Sequence, residues 1–280
     1  MSESCSRIHD GAGRSDSPPA ARLERFGAAG PDVPCLVGFP CAGGSAAAFG
    51  GWSRAALGAS GSLFDLVGVQ YPGRGGRRGE PFAADFEGLV KSLTDALAPL
   101  LARRRVVFLG HSLGGLVAFE VAHRLRAQGL PGPLHLFIAA RSAPGERGSA
   151  LPPRGDRAAL VAFLRRLGRL PEVVFTEPAL LDDILPLLAA DLDLLRTWQG
   201  RVRPQLDLPI TTLAALEDGE CPPAGMAGWA AQTRGAFAAE VFPGGHFFLD
   251  DARDAVLALV RAALARGVPV SSFVLEDARP

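Results

Sequence analysis

Short apolar runs alternate with longer amphipathic stretches along this 280-residue sequence, and this alternation limits its fold more than any other feature. The runs lie at 35–39, 63–69, 105–110, 134–140, 210–216 and 236–242. Continuous apolar runs of this length are typical of strands that are buried on both faces. The stretches between them have the 3.6-residue period of helices, most clearly at 82–101, 113–128 and 248–266. This order predicts an α/β fold with a mostly parallel sheet flanked by helices.

One long segment contains no strand signal. Residues 141–208 carry instead two helical patterns, at 156–167 and 178–198. An insertion between two strands of a parallel sheet lies above the carboxyl edge, where open α/β sheets bind ligands. We therefore expect a helical lid insertion at about 141–208, within a domain that spans 31–280. Residues 1–30 are rich in Ser, Gly, Pro and Arg and lack hydrophobic periodicity, which predicts a disordered leader.

Charge and cysteine content exclude several classes of protein. The 29 basic and 29 acidic side chains balance, whereas a nucleic-acid binder or a polybasic membrane-surface protein needs excess positive charge. The cysteines are widely spaced and form no CxxC pattern, so we expect no zinc site, redox pair or disulfide framework. Neither a signal peptide nor a run of about 18 apolar residues is present. We expect a cytoplasmic protein with no nucleic-acid or membrane partner.

The segment GHSLG at 110–114 matches the pattern G-x-S-x-G. An apolar run precedes it and an amphipathic helical pattern follows it, which is the setting of the nucleophile elbow of α/β-hydrolases. Glycines at both ends of the motif permit a strained turn that lifts the Ser112 hydroxyl off the sheet. We interpret Ser112 as a catalytic nucleophile. The alternative is an unreactive serine in a glycine-rich turn.

A serine hydroxyl needs a base to accept its proton, and the five histidines allow a choice by elimination. His9 lies in the leader, and the side chain of His111 is expected to point away from that of Ser112. His123 is three helical turns farther along, and His135 lies on a strand as a core or edge residue. His246 remains, in a loop after the last strand that glycines allow to bend over the site. It is the expected base, against the alternative of a loop histidine without a role.

The base needs a carboxylate that fixes its tautomer. In α/β-hydrolases the acid follows the serine and precedes the histidine, after a strand. Glu217, Asp218 and Glu220 meet this condition. The shorter side chain and the position just past the strand end favour Asp218, while either glutamate stays an alternative.

Acyl transfer also requires backbone donors for the oxyanion. One is expected to be the N–H of Leu113, directly after the nucleophile. The glycine-rich loop at 39–49 leads towards a helix and is expected to present a second N–H, that of Ala42. Cys41 in the same loop is a less favoured alternative nucleophile, because no elbow exposes it.

Together these segments resemble the stand-alone type II thioesterases of polyketide and nonribosomal peptide assembly lines, over nearly everything from Leu36 to Leu259. The matching motifs are FPCAGGSAAAF (39–49), VQYPGRGGRRGEPF (69–82), GHSLGG (110–115), LEDGECPP (216–223) followed by Trp229, and FPGGHFFL (242–249). Several separate motifs in the right order make the resemblance specific. Three positions depart from the family pattern, namely Cys41, Ala215 and Trp198, and they affect the expected pocket shape and substrate range.

The resemblance implies an α/β-hydrolase fold whose helical lid covers an acyl pocket, reached by a phosphopantetheine arm. It implies Ser112, Asp218 and His246 as a catalytic triad, with Ala42 and Leu113 as oxyanion donors. The implied reaction is hydrolysis of acyl thioesters on acyl or peptidyl carrier proteins, which edits misloaded or stalled assembly lines. The substrate carries the phosphopantetheine, and the enzyme is expected to need no cofactor or metal.

Two alternatives to this function have the same fold. A carboxylesterase or lipase would use the same triad on free esters, and a catalytically inactive relative would serve as a binding module. Two arginine clusters were candidates for steering an acidic carrier protein, against the alternative of a solvated surface. They comprise Arg74, Arg77 and Arg78 in one loop and Arg165, Arg166 and Arg169 near the lid.

Overall fold

A seven-stranded sheet forms the centre of the computed structural model, which describes residues 22–26, 33–53, 57–58, 61–62, 64–146, 150–168, 170–200 and 203–266. The strands are β1 (Arg22–Arg25), β2 (Cys35–Phe39), β3 (Leu57–Gly58), β4 (Gly61–Ser62), β5 (Asp65–Gln70), β6 (Val106–His111), β7 (Leu136–Ala139), β8 (Ile210–Ala215) and β9 (Phe237–Phe242). The order in the sheet is β1-β5-β2-β6-β7-β8-β9, while β3 and β4 pair with each other. Only β1 runs antiparallel to its neighbour in the seven-stranded sheet. The predicted α/β fold is confirmed.

Helices follow most of the parallel strands. They are α1 (Phe86–Leu101), α2 (Leu113–Ala127), α3 (Arg157–Leu167), α4 (Glu172–Thr176), α5 (Pro178–Thr197), α6 (Pro223–Met226) and α7 (Arg253–Arg266), with short 3-10 turns at Ala46–Phe49, Gly75–Arg77, Ala227–Gln232 and Phe248–Asp250. No helix in the described parts of the chain is long and apolar enough to cross a membrane.

The two faces of the sheet are covered by different helices. On β6, Val106 and Phe108 belong to the core that α1 and α2 complete, whereas Val107 and Leu109 belong to the core around α7. Successive side chains of a strand point to opposite faces, so burying both faces requires an apolar residue at every position. This requirement explains why the strands appear in the sequence as continuous apolar runs.

The segment between β7 and β8 contributes α3, α4 and α5, which we call the lid. The lid helices form an apolar cluster of their own, through residues such as Phe163, Leu185 and Leu188. Ala42 and Phe247, from loops at the carboxyl edge of the sheet, pack against this cluster. The lid therefore lies over that edge. Its short helix α4 lies between the two helical patterns that the sequence predicts.

The prediction of a disordered leader over residues 1–30 is wrong at Arg22–Arg25, which form the edge strand β1. This strand has no apolar run because only Leu23 packs against the core, while the neighbouring side chains are charged. Arg25 is held by Asp65 on β5, to which its Nη2 donates at 2.5 Å. Residues 1–21 and 27–30 of the predicted leader lie outside the described residues.

Element ends differ from the sequence predictions for local reasons. The helix predicted over 82–101 begins at Phe86, because the Asp85 side chain caps it by accepting from the Gly88 N–H at 2.7 Å. The strand predicted over 134–140 ends at Ala139, because Ala140 has a φ of 50° and turns the chain out of the sheet.

We expect Asp65→Ala to lower the free energy of unfolding by about 3–5 kcal/mol, because it removes one partner of a buried ion pair. The side chain of Arg104, 5% exposed, donates to Asp65 at 2.8 Å and would stay buried in the variant without this carboxylate. The matched variant Arg25→Ala removes an arginine that is 53% exposed from the same carboxylate, and should cost no more than about 1 kcal/mol. Urea unfolding measures both values, and equal losses would contradict this account.

Candidate active site

Ser112 occupies a strained turn between β6 and α2. Its φ of 53° and ψ of −116° are rare for a residue with a side chain. The turn is closely packed: a Cβ on Gly114 would lie 2.1 Å from the Phe39 carbonyl oxygen, and one on Gly110 would lie 2.4 Å from the Gly114 carbonyl oxygen. Both positions therefore require glycine. The structure thus contains the sharp strand–turn–helix that the sequence predicts for a nucleophile elbow.

His246 and Asp218 form a buried hydrogen-bonded pair. The Nδ1 of His246 lies 2.9 Å from Oδ2 of Asp218, and both residues are less than 10% exposed. With Nδ1 facing the carboxylate, Nε2 is the ring nitrogen left to accept a proton. Of the three candidate acids, only Asp218 contacts the histidine: Glu217 is exposed, and Glu220 pairs with Arg166 at 3.0 Å.

The carboxylate of Asp218 is fixed in its charged form. Burial on its own raises the pKa of this carboxyl, but hydrogen bonding and the charge of His246 oppose that effect. The N–H groups of Glu220 and Cys221 also donate to Oδ1, at 2.9 and 3.1 Å. The balance holds the pKa of Asp218 below its usual range. A carboxylate that stays ionised can orient the imidazole and stabilise the imidazolium.

His111 contacts the His246 loop, a contact that sequence reasoning missed. Its Nε2 donates to the His246 carbonyl oxygen at 2.7 Å, and the two rings lie 5.2 Å apart. His111 ends β6, so it ties the loop of the expected base to the strand that carries the expected nucleophile. The only sequence signal was its position beside Ser112, which does not reveal a partner 135 residues farther along.

The two other described histidines lie away from this cluster, as the elimination expected. Burial lowers the pKa of His135 to about 4, and its Nε2 lies 2.8 Å from the Thr211 hydroxyl. Burial also lowers the pKa of His123 to about 4, helped by two neighbouring arginines, and its ring packs edge-on against Phe119. Both are core histidines that stay neutral near pH 7.

The glycine-rich loop after β2 forms a tight turn at the same edge of the sheet. The Gly44 N–H donates to the Cys41 carbonyl oxygen at 3.0 Å, and Gly43 has a φ of 73°, which only glycine adopts freely. Ala42 lies at the corner of this turn, and its N–H has no acceptor among the described residues. The N–H of Leu113, the first residue of α2, has no acceptor within its helix.

A cavity of about 290 Å³ joins these groups. Ser112, Leu113, Ala42 and His246 all line it. Lid and loop residues supply an apolar wall, comprising Leu151, Phe163, Leu167, Leu192, Leu195 and Trp198. The structure therefore brings four of the five sequence-predicted site residues to one cavity under the lid, and the fifth, Asp218, lies behind His246 in direct contact with it.

The arginine cluster expected beside the loop is mostly buried, which corrects the sequence interpretation. The side chain of Arg74 is 3% exposed, and that of Arg77 donates to Glu80 and to the Gln70 carbonyl oxygen. Only Arg78 of this cluster is exposed. Arginine is often placed on surfaces by sequence reasoning, but here two guanidinium groups satisfy backbone carbonyls inside the fold. These two therefore cannot meet a partner protein.

The two described members of the second cluster, Arg165 and Arg166, are exposed but already paired. Arg165 forms a two-pronged ion pair with Glu172, at 2.8 and 2.9 Å, and Arg166 bonds Glu220. Arg169 lies outside the described residues.

Residues 34–264 match the protein-family model described as the thioesterase domain. The chain belongs to the thioesterase family. It is 34% identical over 229 residues to thioesterase PikA5 of Streptomyces venezuelae. The aligned region covers 82% of this chain and 80% of PikA5. This family makes the protein a thioester hydrolase, so the resemblance seen in the sequence is confirmed.

Solved structures agree with this assignment. The thioesterase RedJ from the prodiginine biosynthetic pathway of Streptomyces coelicolor has a TM-score of 0.75 at 36% identity, over 84% of this chain and 90% of RedJ. The type II thioesterase BorB from the borrelidin biosynthetic cluster has a TM-score of 0.73 at 33% identity, over 86% of this chain and 97% of BorB. The α/β-hydrolase fold is thereby confirmed.

Two of the three departures from the family pattern line the cavity of this thioesterase. Cys41 lies in the glycine-rich loop, and Trp198 lies on the lid side, where its Nε1 donates to Glu120 at 2.9 Å. Ala215 is fully buried at the end of β8, directly before the loop that carries Asp218. In the described part of the chain no group of three or more His, Cys, Asp or Glu side chains is arranged to hold a metal ion. The expectation that no cofactor is needed stays a prediction.

We expect Asp218→Asn to lower kcat by about 10⁴-fold, because an amide cannot hold the imidazole in the same tautomer or stabilise its charge. Steady-state kinetics measure this loss.

We also expect Asp218→Asn to lower the free energy of unfolding by an amount that depends on pH. The lowered pKa of Asp218 stabilises the fold above the ordinary aspartate pKa, and this contribution is lost as pH falls through the folded value. Urea unfolding should therefore show a wild-type advantage at pH 7 that shrinks below about pH 4. A difference in unfolding free energy that does not change with pH would contradict this account.

We expect His111→Ala to lower kcat by about 10-fold with little change in KM, because the His246 loop loses its tie to β6 while the cavity walls remain. His111→Gln keeps a side-chain donor and should recover part of the loss. Steady-state kinetics of both variants test this role. Equal activity of the alanine variant and the wild type would show that the contact does not position the base.

Proposed function

We propose that this thioesterase hydrolyses acyl groups from the phosphopantetheine arm of acyl or peptidyl carrier proteins, and so edits misloaded or stalled polyketide or nonribosomal peptide assembly lines. The observation that supports the proposal is that Ser112, His246 and the residues Ala42 and Leu113 line one lid-covered cavity, with Asp218 bonded to His246. The relatives RedJ and BorB come from a biosynthetic pathway and a biosynthetic cluster, which supports the same setting for this chain.

The proposed chemistry has two steps that share one base. In the first, Nε2 of His246 takes the hydroxyl proton of Ser112 as Oγ bonds to the thioester carbonyl carbon. The N–H groups of Ala42 and Leu113 stabilise the negative oxygen that forms. When the intermediate collapses, the carbon–sulfur bond breaks and the leaving thiolate takes the proton from His246. The product of this step is an acyl ester on Ser112.

In the second step, water replaces the thiol. His246 takes a proton from the water as its oxygen bonds to the acyl carbon, and the same two N–H groups stabilise the new oxyanion. Collapse breaks the bond to Oγ, which regains a proton from His246 and releases the carboxylic acid. Asp218 holds the imidazole throughout and stabilises it while it is charged. These steps involve only the chain, its substrate and one water molecule.

The cavity favours short acyl chains as substrates. Its volume of about 290 Å³ is at the lower end of ligand pockets, which span about 300–1,000 Å³. Its lid wall is apolar and includes Trp198. A short, uncharged acyl group fits this environment, with the pantetheine arm leading out of the cavity.

A comparison of three substrate classes tests the proposal. The same short acyl group is presented on a carrier protein, on coenzyme A and as a simple ester, and kcat/KM is measured for each. We expect the carrier-bound thioester to be preferred at least about 10-fold, since the carrier adds contacts that the free thioester and ester lack. Preference for the simple ester would instead favour the carboxylesterase alternative.

Ser112→Ala tests the proposed nucleophile. We expect the variant to fold normally, to lose at least about 10⁴-fold in kcat, and to resist labelling by a fluorophosphonate probe. Ser53→Ala is the matched control, because the Ser53 hydroxyl bonds the Gly50 carbonyl oxygen and does not line the cavity. Wild-type turnover in Ser112→Ala would overturn the assignment. Failure of the wild type to react with the probe would instead support the alternative that the protein is a catalytically inactive binding module.

A further inference from the structure

A buried ion pair joins the lid to the body of the protein. Asp191, on the lid helix α5, accepts two parallel hydrogen bonds from Arg74, at 2.5 Å to Oδ2 and 2.6 Å to Oδ1. The two side chains are only 3% and 4% exposed. Two charges taken out of water cost more than they return unless further hydrogen bonds satisfy them. The remaining hydrogen bonds of this pair therefore indicate which segment of the backbone it stabilises.

Both partners of the pair bond the backbone of the glycine-rich loop. Oδ2 of Asp191 accepts from the Gly43 N–H at 2.7 Å, and Nη1 of Arg74 donates to the Gly44 carbonyl oxygen at 3.1 Å. A Cβ added to Gly43 would lie 3.7 Å from Leu188, so α5 packs directly on this turn. The loop is thus fixed by one acceptor and one donor from the same ion pair.

These contacts determine which amide of the loop is left for a ligand. The turn from Cys41 to Gly44 uses the Gly44 N–H for its own closure, and Asp191 takes the Gly43 N–H. The N–H of Ala42 stays without an acceptor among the described residues, beside the cavity. We propose that Asp191 and Arg74 are positioning residues that hold this turn so that the Ala42 N–H serves the oxyanion. This inference rests on the proposed acyl-transfer function.

The pairing also answers an electrostatic requirement. An isolated carboxylate that bonds the amide next to the oxyanion donor would repel the negative oxygen formed during the reaction. Arg74 neutralises Asp191 at hydrogen-bond distance, so the carboxylate can hold the Gly43 N–H without that penalty. A neutral acceptor would hold one amide, but it would not also recruit the donor that holds the Gly44 carbonyl.

The test replaces the pair by apolar residues of similar volume, in the double variant Arg74→Met/Asp191→Leu. Such replacements of buried ion pairs are often neutral or stabilising, so the fold is retained while both bonds to the loop are lost. We expect kcat for acyl thioester hydrolysis to fall about 10²-fold, as for loss of one oxyanion donor, with KM within about 3-fold. Affinity for an acyl trifluoromethyl ketone, whose Ser112 adduct carries an oxyanion, should fall by a similar factor.

The control removes a second buried pair that lies at the opposite end of the strands. Asp65→Leu/Arg104→Met deletes an ion pair in which the arginine also bonds a backbone carbonyl, that of Val33. We expect kcat and ketone affinity of this variant within about 3-fold of the wild type. The inference is overturned if the Arg74/Asp191 variant behaves like this control, or if its kcat falls while its ketone affinity does not.

A further readout separates this inference from the proposed function. The rate of inactivation by a fluorophosphonate depends on Ser112 and the oxyanion donors, whatever acyl substrate the enzyme uses. If the wild type hydrolyses no carrier-bound thioester, the proposed substrate is wrong, but a slower inactivation of Arg74→Met/Asp191→Leu still supports the positioning role. If the wild type is active and both double variants are inactivated at the wild-type rate, only the positioning role fails.

Discussion

The close approach of α2 to the carboxyl ends of β2 and β6 is the constraint on which the rest of the site depends. Gly110 and Gly114 leave no room for a side chain, and this closeness forces Ser112 into its positive φ. The strain is tolerated because β6 lies in the middle of the sheet with both faces packed. The same contact places the N-terminus of α2 beside the Phe39 carbonyl, so the elbow and the glycine-rich loop share one edge.

Much of this arrangement could be predicted from local sequence. The strands are visible because burial on both faces requires apolar residues throughout, and the elbow is visible because only its glycines permit the turn. Asp218 is predicted because it directly follows a strand that ends at this edge, and His246 is predicted because the other four histidines are eliminated. The strand Arg22–Arg25 was missed because an edge strand with one core residue, Leu23, has no apolar run.

Contacts between distant segments could not be predicted in this way. The stretch PGRGGRR has the composition of an exposed basic loop, yet Arg74 is buried because its partner, Asp191, arrives 117 residues later on a lid helix. The same holds for His111, whose acceptor is a backbone carbonyl on a different loop. A residue type reveals that a charge needs a partner, but the fold alone reveals which segment supplies it.

The ties of the lid to the body are unequal, and this inequality bears on how a substrate enters. Hydrogen bonds hold the C-terminal half of α5 to the body. Asp191 accepts from Arg74, and the Thr197 hydroxyl accepts from the Phe86 N–H at 2.8 Å. Directly after the helix, the Trp198 ring nitrogen donates to Glu120. By contrast, the ion pair that joins the described part of α3 to the body, Arg166 with Glu220, leaves the arginine side chain 52% exposed. Exposed pairs contribute at most about 1 kcal/mol each, so the ion pair of α3 holds it to the body less strongly than the buried contacts hold α5. In the proposed reaction, an acyl arm that enters past α3 would leave the bond between Asp191 and the glycine-rich loop intact, so substrate access would be separate from the geometry that the chemistry needs.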